Sequence, residues 1–549
     1  MLLLGLAFIL SGCAHKKPDA MSARTTVWSA RAIRTQDPKS PIVEALVVRE
    51  GKIVFAGTRE AAVDFAGGDA AVEDFADATI VPGLVDSHAH LLSLGRSLSI
   101  ARLNAAQSAE EAVALLEKGS AASSQGEWLL GRGWDQNDWS SKEFPTRALL
   151  DAKFPGRPVY LSRVDGHAAW VNGEALKRAG ITAQTKDPAG GRILREASGE
   201  PTGVLIDNAL DLVSVKIPAA TPEQLQQRLD AAIARCVSVG LTGIHDAGME
   251  WAAFMQLQQL DATSALKIRI YAMADGQGAD APDYLKAGLF EGKKLRMRAV
   301  KFVADGALGS RGAALHAPYA DEPSQSGLLL LTRAELETKA KAFADVGFQV
   351  AIHAIGDKAN TKVIDVLSAL EKSRAGGRHR VEHAQILRGD DVPRFAANGL
   401  IASFQPTHAT SDMPWAIARV GEERLKYAYA WRALLDSGAH VAFGSDFPVE
   451  DPEPLAGLYS ARFRMDPQGK PEGGWHPEQR VTGEEALAGF TSGAAYAEFA
   501  EERRGSLSVG KDADFVVLSV DPVTAPAAEL LKARVRATVV GGDEVFRAP

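Results

Sequence analysis

The sequence predicts an α/β fold: a (β/α)8 TIM-type barrel with a small β-sandwich domain built from both chain ends and an inserted α+β subdomain. Three observations carry this. Eight apolar strand-like runs alternate with helical pattern through the middle of the chain, the sequence form of a parallel barrel. Short β-branched runs broken by turns occupy both ends. The gap between the first and second of the eight runs is far wider than one crossover helix needs.

In chain order, Met1 to Cys13 reads MLLLGLAFILSGC, an apolar run too short to span a bilayer and ending in small residues before a cysteine. It reads as a signal peptide. Leu10-Ser11-Gly12-Cys13 resembles the lipobox of bacterial lipoproteins, which implies cleavage before Cys13 and a lipid on its thiol, although no Lys or Arg precedes the apolar run. The expected location is a bacterial cell envelope, lipid-anchored and facing the periplasm. Ala14 after the cysteine resembles the outer-membrane sorting pattern. Residues 14–24 form a polar tether.

Residues 25–84 and 505–549 are assigned to the β-sandwich, from runs such as Ile42 to Val48, Ile53 to Phe55, Phe515 to Leu518 and Ala537 to Val540. Residues 85–504 are assigned to the barrel. Its strands are placed at Ile80 to His90, Gly243 to Asp246, Lys267 to Ala272, Ala299 to Val303, Gln349 to His353, Arg380 to His383, Ile401 to Gln405 and His440 to Asp446. That span exceeds the roughly 250 residues of a bare barrel. The excess lies at about 101–218, read as a subdomain over the C-terminal mouth and the source of substrate choice.

Composition excludes more than it selects. A chain of 549 residues with 46% hydrophobic and 24% charged residues has an ordinary globular balance. The formal net charge of -8, without a long basic run, argues against nucleic acid as a partner. With only Cys13 and Cys236 present, a structural disulfide is not expected.

The chemistry sits at the ends of the predicted strands. In Val85-Asp86-Ser87-His88-Ala89-His90 the two histidines are two apart, so a strand points both to one side, well placed to chelate a transition metal. Later runs supply Lys301, His353, His383 and Asp446 at or near their ends. In a barrel those ends converge on one mouth. Six separate structural explanations are then hard to sustain.

The order HxH, Lys, His, His, Asp is similar to the amidohydrolase superfamily. The motifs Gly131 to Asp135, Asp165-Gly166-His167, Gly199 to Leu205, Val300 to Gly306 and Gly505 to Asp514 resemble its YtcJ-like branch, amidohydrolase family 3. The resemblance implies one or two divalent transition-metal ions of the zinc type. His88, His90 and Asp446 would hold one, His353 and His383 a second, and Lys301, carboxylated to a carbamate, would bridge them. It implies hydrolysis of a small amide-like molecule at a non-peptide carbon–nitrogen bond by metal-activated hydroxide, with Asp446 as the proton acceptor.

Substrate contacts are expected from His167, Asp305, Arg311 and Trp134. For Lys301 a buried ion pair, for Asp305 and Arg311 loop stabilisation, and for Trp134, Trp139 and Trp170 the insertion's core are the plainer roles. His245, Asp246 and His408 are read as supporting or structural residues. A membrane-tethered solute-binding lipoprotein on the same fold is the alternative from another class, and the intact six-residue set argues against it. D-aminoacylase- or esterase-type hydrolysis keeps the metal and changes the bond. A homo-oligomer is left open.

Overall fold

The computed structural model describes residues 25–119, 128–218 and 220–549; the signal segment, Cys13 and the tether lie outside them. The eight predicted runs form one parallel ladder: β1 (Leu84–Ala89), β2 (Leu241–Met249), β3 (Arg269–Asp275), β4 (Leu295–Val303), β5 (Gln349–Ala354), β6 (Arg380–His383), β7 (Ile401–Phe404) and β8 (His440–Phe443). Helices cover their outer faces and side chains fill the lumen, so these strands are buried almost throughout. Burial on both faces is why they read as apolar runs rather than as alternating ones.

The seam between β8 and β1 is closed beyond the strand ends. There the Asp446 N–H donates to the His88 carbonyl at 2.7 Å and the His90 N–H to the Phe447 carbonyl at 3.0 Å. Asp86 accepts from the Ser445 N–H at 3.0 Å and from its hydroxyl at 2.6 Å. The barrel is thus nearly closed by strand pairing, and these bonds draw its first and last strands together at the mouth.

The first strand was expected to run unbroken from Ile80 to His90, and it does not. Ala71–Pro82 belongs to the sheet of the chain ends, where Ile80 pairs with Ile33 and Val517. Gly83 then carries the chain across to β1. A Cβ at Gly83 would lie 2.2 Å from Thr242 Oγ1, so only glycine allows this close passage. Its N–H donates to the Asp514 carbonyl at 2.8 Å.

The two chain ends share a seven-stranded sheet in the order Asp543–Arg547, Val535–Val540, Phe515–Leu518, Ala71–Pro82, Thr25–Arg34, Ile42–Arg49, Lys52–Gly57. The sheet folds over on itself: Leu46, Val48 and Ile53 from one half share a buried cluster with Phe515, Val517 and Val539 from the other.

Between β1 and β2 lies a six-stranded sheet spanning Ala101 to Asp207, with its own core of Trp134, Trp139, Trp170 and neighbours. Its strands Leu129–Trp134 and Val159–Arg163 pair in parallel, Arg132 opposite Ser162. Alternation sends Leu129 and Leu161 into that core, while Arg132, Tyr160 and Ser162 face the barrel mouth. The helix Pro222–Ser238, opened by a Thr221–Gln224 capping box, returns the chain to β2.

Candidate metal centre

Six side chains meet where the barrel strands end. His88 lies near the end of β1 and His90 just past it; Lys301 comes from β4, His353 from β5, His383 from the last position of β6 and Asp446 from the turn after β8. Ligand-type atoms of His88, His383 and Asp446 all lie within 4.8 Å of one another. Ring centroids are 4.7 Å apart for His88 and His383, and 4.5 Å for His353 and His383. Asp446 Oδ1 is 3.0 Å from His90 Nε2 and 3.6 Å from His88 Nε2, and Lys301 Nζ is 3.2 Å from His88 Nε2.

Two of these residues reach the site through an uncommon backbone. His383 has φ 69° and Asp446 φ 61°, the left-handed region that costs a non-glycine residue on the order of 1–3 kcal/mol. In β6, Arg380 and Glu382 already point into the lumen. The turn at His383 breaks the alternation, so the next residue in sequence faces the same site.

Electrostatics prepare the cluster for a cation. Burial pushes His88 down to about 4, and pushes His353 and His383 below the ordinary imidazole value, so all three present neutral nitrogens. Burial alone would raise Asp446, but His88, His90 and His383 hold it well below the usual carboxylate range. Burial also lowers Lys301, against the pull of Glu382 and Asp446. Asp446 Oδ1 faces His90 Nε2 at 3.0 Å, and His353 Nε2 has Asp305 Oδ1 3.4 Å away. Neutral imidazoles and an ionised carboxylate converging on one space fit a divalent ion.

Behind the cluster stands a layer that sets ring orientation. His88 Nδ1 lies 2.5 Å from Glu382 Oε2, and His383 Nδ1 lies 2.7 Å from Gln405 Oε1. Each contact assigns the proton to Nδ1 and leaves Nε2 as the acceptor. Burial would raise Glu382, yet Arg380 at 2.6 Å and His88 hold it ionised. Arg380 is in turn fixed by His245 Nδ1 at 2.8 Å, the Ser87 carbonyl at 2.6 Å and Ser403 Oγ at 3.1 Å. Glu382, Arg380 and Gln405 went unread in the sequence. Two charged residues two apart in a strand expected to be buried on both faces were the signal for the first two.

Above the centre is a cavity of about 560 Å³. The barrel floors it with Lys301, His353, His383 and Asp446, and the insertion walls it with Arg132, Tyr160 and His167. His167 Nδ1 is 2.8 Å from Asp207 Oδ1, and its ring is 5.9 Å from that of His353. His408 also lines the cavity, its Nε2 4.0 Å from Asp446 Oδ2.

The other three expected substrate contacts do not face this space. Asp305 is fully buried and spends its carboxylate on the N–H groups of Ala314, Ile355 and Gly356 at 2.8, 3.0 and 2.9 Å, bracing two mouth loops. Arg311 pairs with Asp321 at 3.0 Å. Trp134 is buried in the insertion's core, its Nε1–H donating to the Leu161 carbonyl at 2.8 Å. Near-complete burial also puts Trp139 and Trp170 in that core.

A barrel with a buried His/Asp centre suited to a divalent metal defines a class of hydrolase. The chain belongs to the amidohydrolase family, which it matches over residues 71–546. It is 34% identical over 528 residues to the YtcJ protein of Bacillus subtilis (strain 168), covering 95% of this chain and 99% of that one. It is 28% identical over 531 residues to the N-substituted formamide deformylase of Arthrobacter pascens, covering 93% and 96%. Among solved structures it is similar to an uncharacterized metal-dependent hydrolase from Pyrococcus horikoshii OT3, with a TM-score of 0.75, 30% identity, and coverage of 92% of this chain and 99% of that one.

Proposed function

We propose that this hydrolase cleaves a non-peptide carbon–nitrogen bond in a small amide-like molecule, using one or two zinc-type ions. The observation that carries the reading is the convergence of His88, His90, Lys301, His353, His383 and Asp446 on one space at the strand ends. The similarity to an N-substituted formamide deformylase supports the choice of bond.

In this reading His88, His90 and Asp446 would hold one ion and His353 and His383 a second, and Lys301, if carboxylated, would supply oxygen ligands to the centre. A bound ion supplies Lewis acidity and lowers the pKa of water from about 15.7 toward neutrality. Asp446 takes the proton of the attacking water on its carboxylate and delivers it to the leaving nitrogen. His167, anchored at Nδ1 by Asp207, offers Nε2–H to the substrate carbonyl oxygen in its doubly protonated form, which the neighbouring carboxylates favour, stabilising the charge that develops there.

The test is metal content per chain in protein expressed from Ala14 onward and purified without chelator in bicarbonate, followed by amine release from N-substituted formamides and other amides. About two ions, falling with Lys301→Ala, is the expected result. One ion, unchanged by Lys301→Ala, reduces the centre to a single-metal site and Lys301 to a structural group. No ion after reconstitution, and no amine released, overturns the hydrolytic reading.

A further inference from the structure

Arg132 is a cation left over. It sits on the mouth-facing side of the insertion's strand Leu129–Trp134, lining the cavity above the metal centre. It also lines a side pocket of about 150 Å³ that shares Asn104, Pro448, Val449 and Glu450 with the main cavity. Its Nη2 donates to the Val164 carbonyl at 2.7 Å, and its Nε is buried without a partner. Carboxylates that line the same space are engaged elsewhere, Glu450 by the Ser411 hydroxyl at 2.6 Å. Asp135 and Asp165 both bind the buried guanidinium of Arg163, and Asp165 also accepts the His167 N–H at 3.0 Å. Among the described residues no carboxylate forms an ion pair with Arg132. Burial lowers it below the ordinary arginine range, offset only in part by Asp165, Asp446 and Tyr160.

A guanidinium that lines an open cavity, spends one N–H on a backbone carbonyl and has no ion-pair partner suits a carboxylate in charge and hydrogen-bonding capacity. Keeping it unpaired costs the free protein stability, which favours a role in the bound state. We propose that Arg132 receives a carboxylate carried by the substrate, so that the enzyme acts on amides bearing an anionic group at the junction of cavity and side pocket. The assignment rests on the hydrolytic reading of the centre above.

The experiment pairs N-acyl amino acids with the matching N-acyl amines that lack the carboxylate. Each pair is measured for hydrolysis by the metal-loaded enzyme and for calorimetric binding to metal-free protein, in wild type and Arg132→Met. Wild type is expected to favour the carboxylate member at least tenfold in kcat/KM, through KM. Arg132→Met is expected to erase the preference by raising KM for the carboxylate member, with Arg132→Lys keeping part of it and an unchanged melting temperature showing that the variants fold.

Hydrolysis of neutral amides with no carboxylate preference upholds the hydrolase and overturns the role of Arg132. Binding of carboxylates, lost in Arg132→Met, without turnover upholds Arg132 and counts against hydrolysis. A carboxylate preference that survives Arg132→Met, or no binding and no turnover of any member, overturns the proposal.

Discussion

At the scale of single residues, the pair Asp207–His167 shows how the insertion completes a site whose floor is barrel. Asp207 is held at φ 48°, a strained conformation for aspartate, and its own N–H donates to the His167 carbonyl at 2.9 Å. Burial would lower His167, but the hydrogen bond to Asp207, with Asp165 and Asp305 nearby, raises it above the ordinary imidazole value. A histidine whose folded pKa is raised contributes stability that is fully present below about pH 6.5 and is lost as pH rises through the folded value. Asp207→Asn removes the anion behind that shift. The melting temperature of wild type is therefore expected to exceed that of Asp207→Asn most at pH 5 to 6, with the gap narrowing as pH climbs past the raised value. A gap that stays constant from pH 5 to 9 means the pair carries no charge and His167 is held by shape alone.

At the scale of elements, the mouth is made where strand ends turn, and a small residue controls the turn after β8. A Cβ on Gly444 would lie 2.4 Å from Asp86 Oδ1 and 2.6 Å from the His88 nitrogen. Gly444→Ala must therefore push the start of the Asp446 turn away from β1. Overpacking of this kind costs about 1–3 kcal/mol, and it also spreads Asp446 from His88. The expected result is a loss of metal affinity of tenfold or more, measured by competition with a chelator, beside a modest drop in melting temperature. Unchanged affinity would separate this turn from the proposed ligand set.

The same scale decides what the sequence could tell. The strands were legible because parallel barrel strands are buried on both faces, and the six polar residues at their ends stood out against apolar runs. Asp207, forty positions from His167, has no periodic signature, and only the fold of the insertion brings the two together. Asp305 and Arg311 follow β4 and so were placed at the mouth. Asp305 is indeed at the mouth, its Oδ1 3.4 Å from His353 Nε2, but its carboxylate is turned to its neighbours' backbone, and Arg311 is turned to Asp321. The break at Gly83 stayed hidden because Ile80 to Leu84 is apolar on both sides of it.

At the scale of the whole molecule, the sheet of the chain ends and the barrel are joined by buried charge at the end opposite the mouth. Asp514, at the entrance to strand Phe515–Leu518, binds Arg269 at the start of β3 through two contacts of 2.6 and 2.9 Å. It also accepts the Gly541 N–H at 2.7 Å, while its carbonyl receives the Gly83 N–H at 2.8 Å. Four stretches distant in sequence thus meet on one aspartate. Arg269 lies with Asp514 among buried groups, and its remaining anion, Asp512, is 3.4 Å away. Asp514→Asn keeps the shape and removes the charge, leaving Arg269 undercompensated in a dry interior, a change that costs about 3–5 kcal/mol. The first urea transition is expected to move to lower denaturant by an amount matching that cost. Metal content per folded chain is expected to stay at the wild-type value, because the weld and the metal centre occupy opposite ends of the strands. Loss of metal together with the shift would instead show that the chain-end sheet sets the spacing of the strand ends at the mouth, and that the barrel does not hold its centre without it.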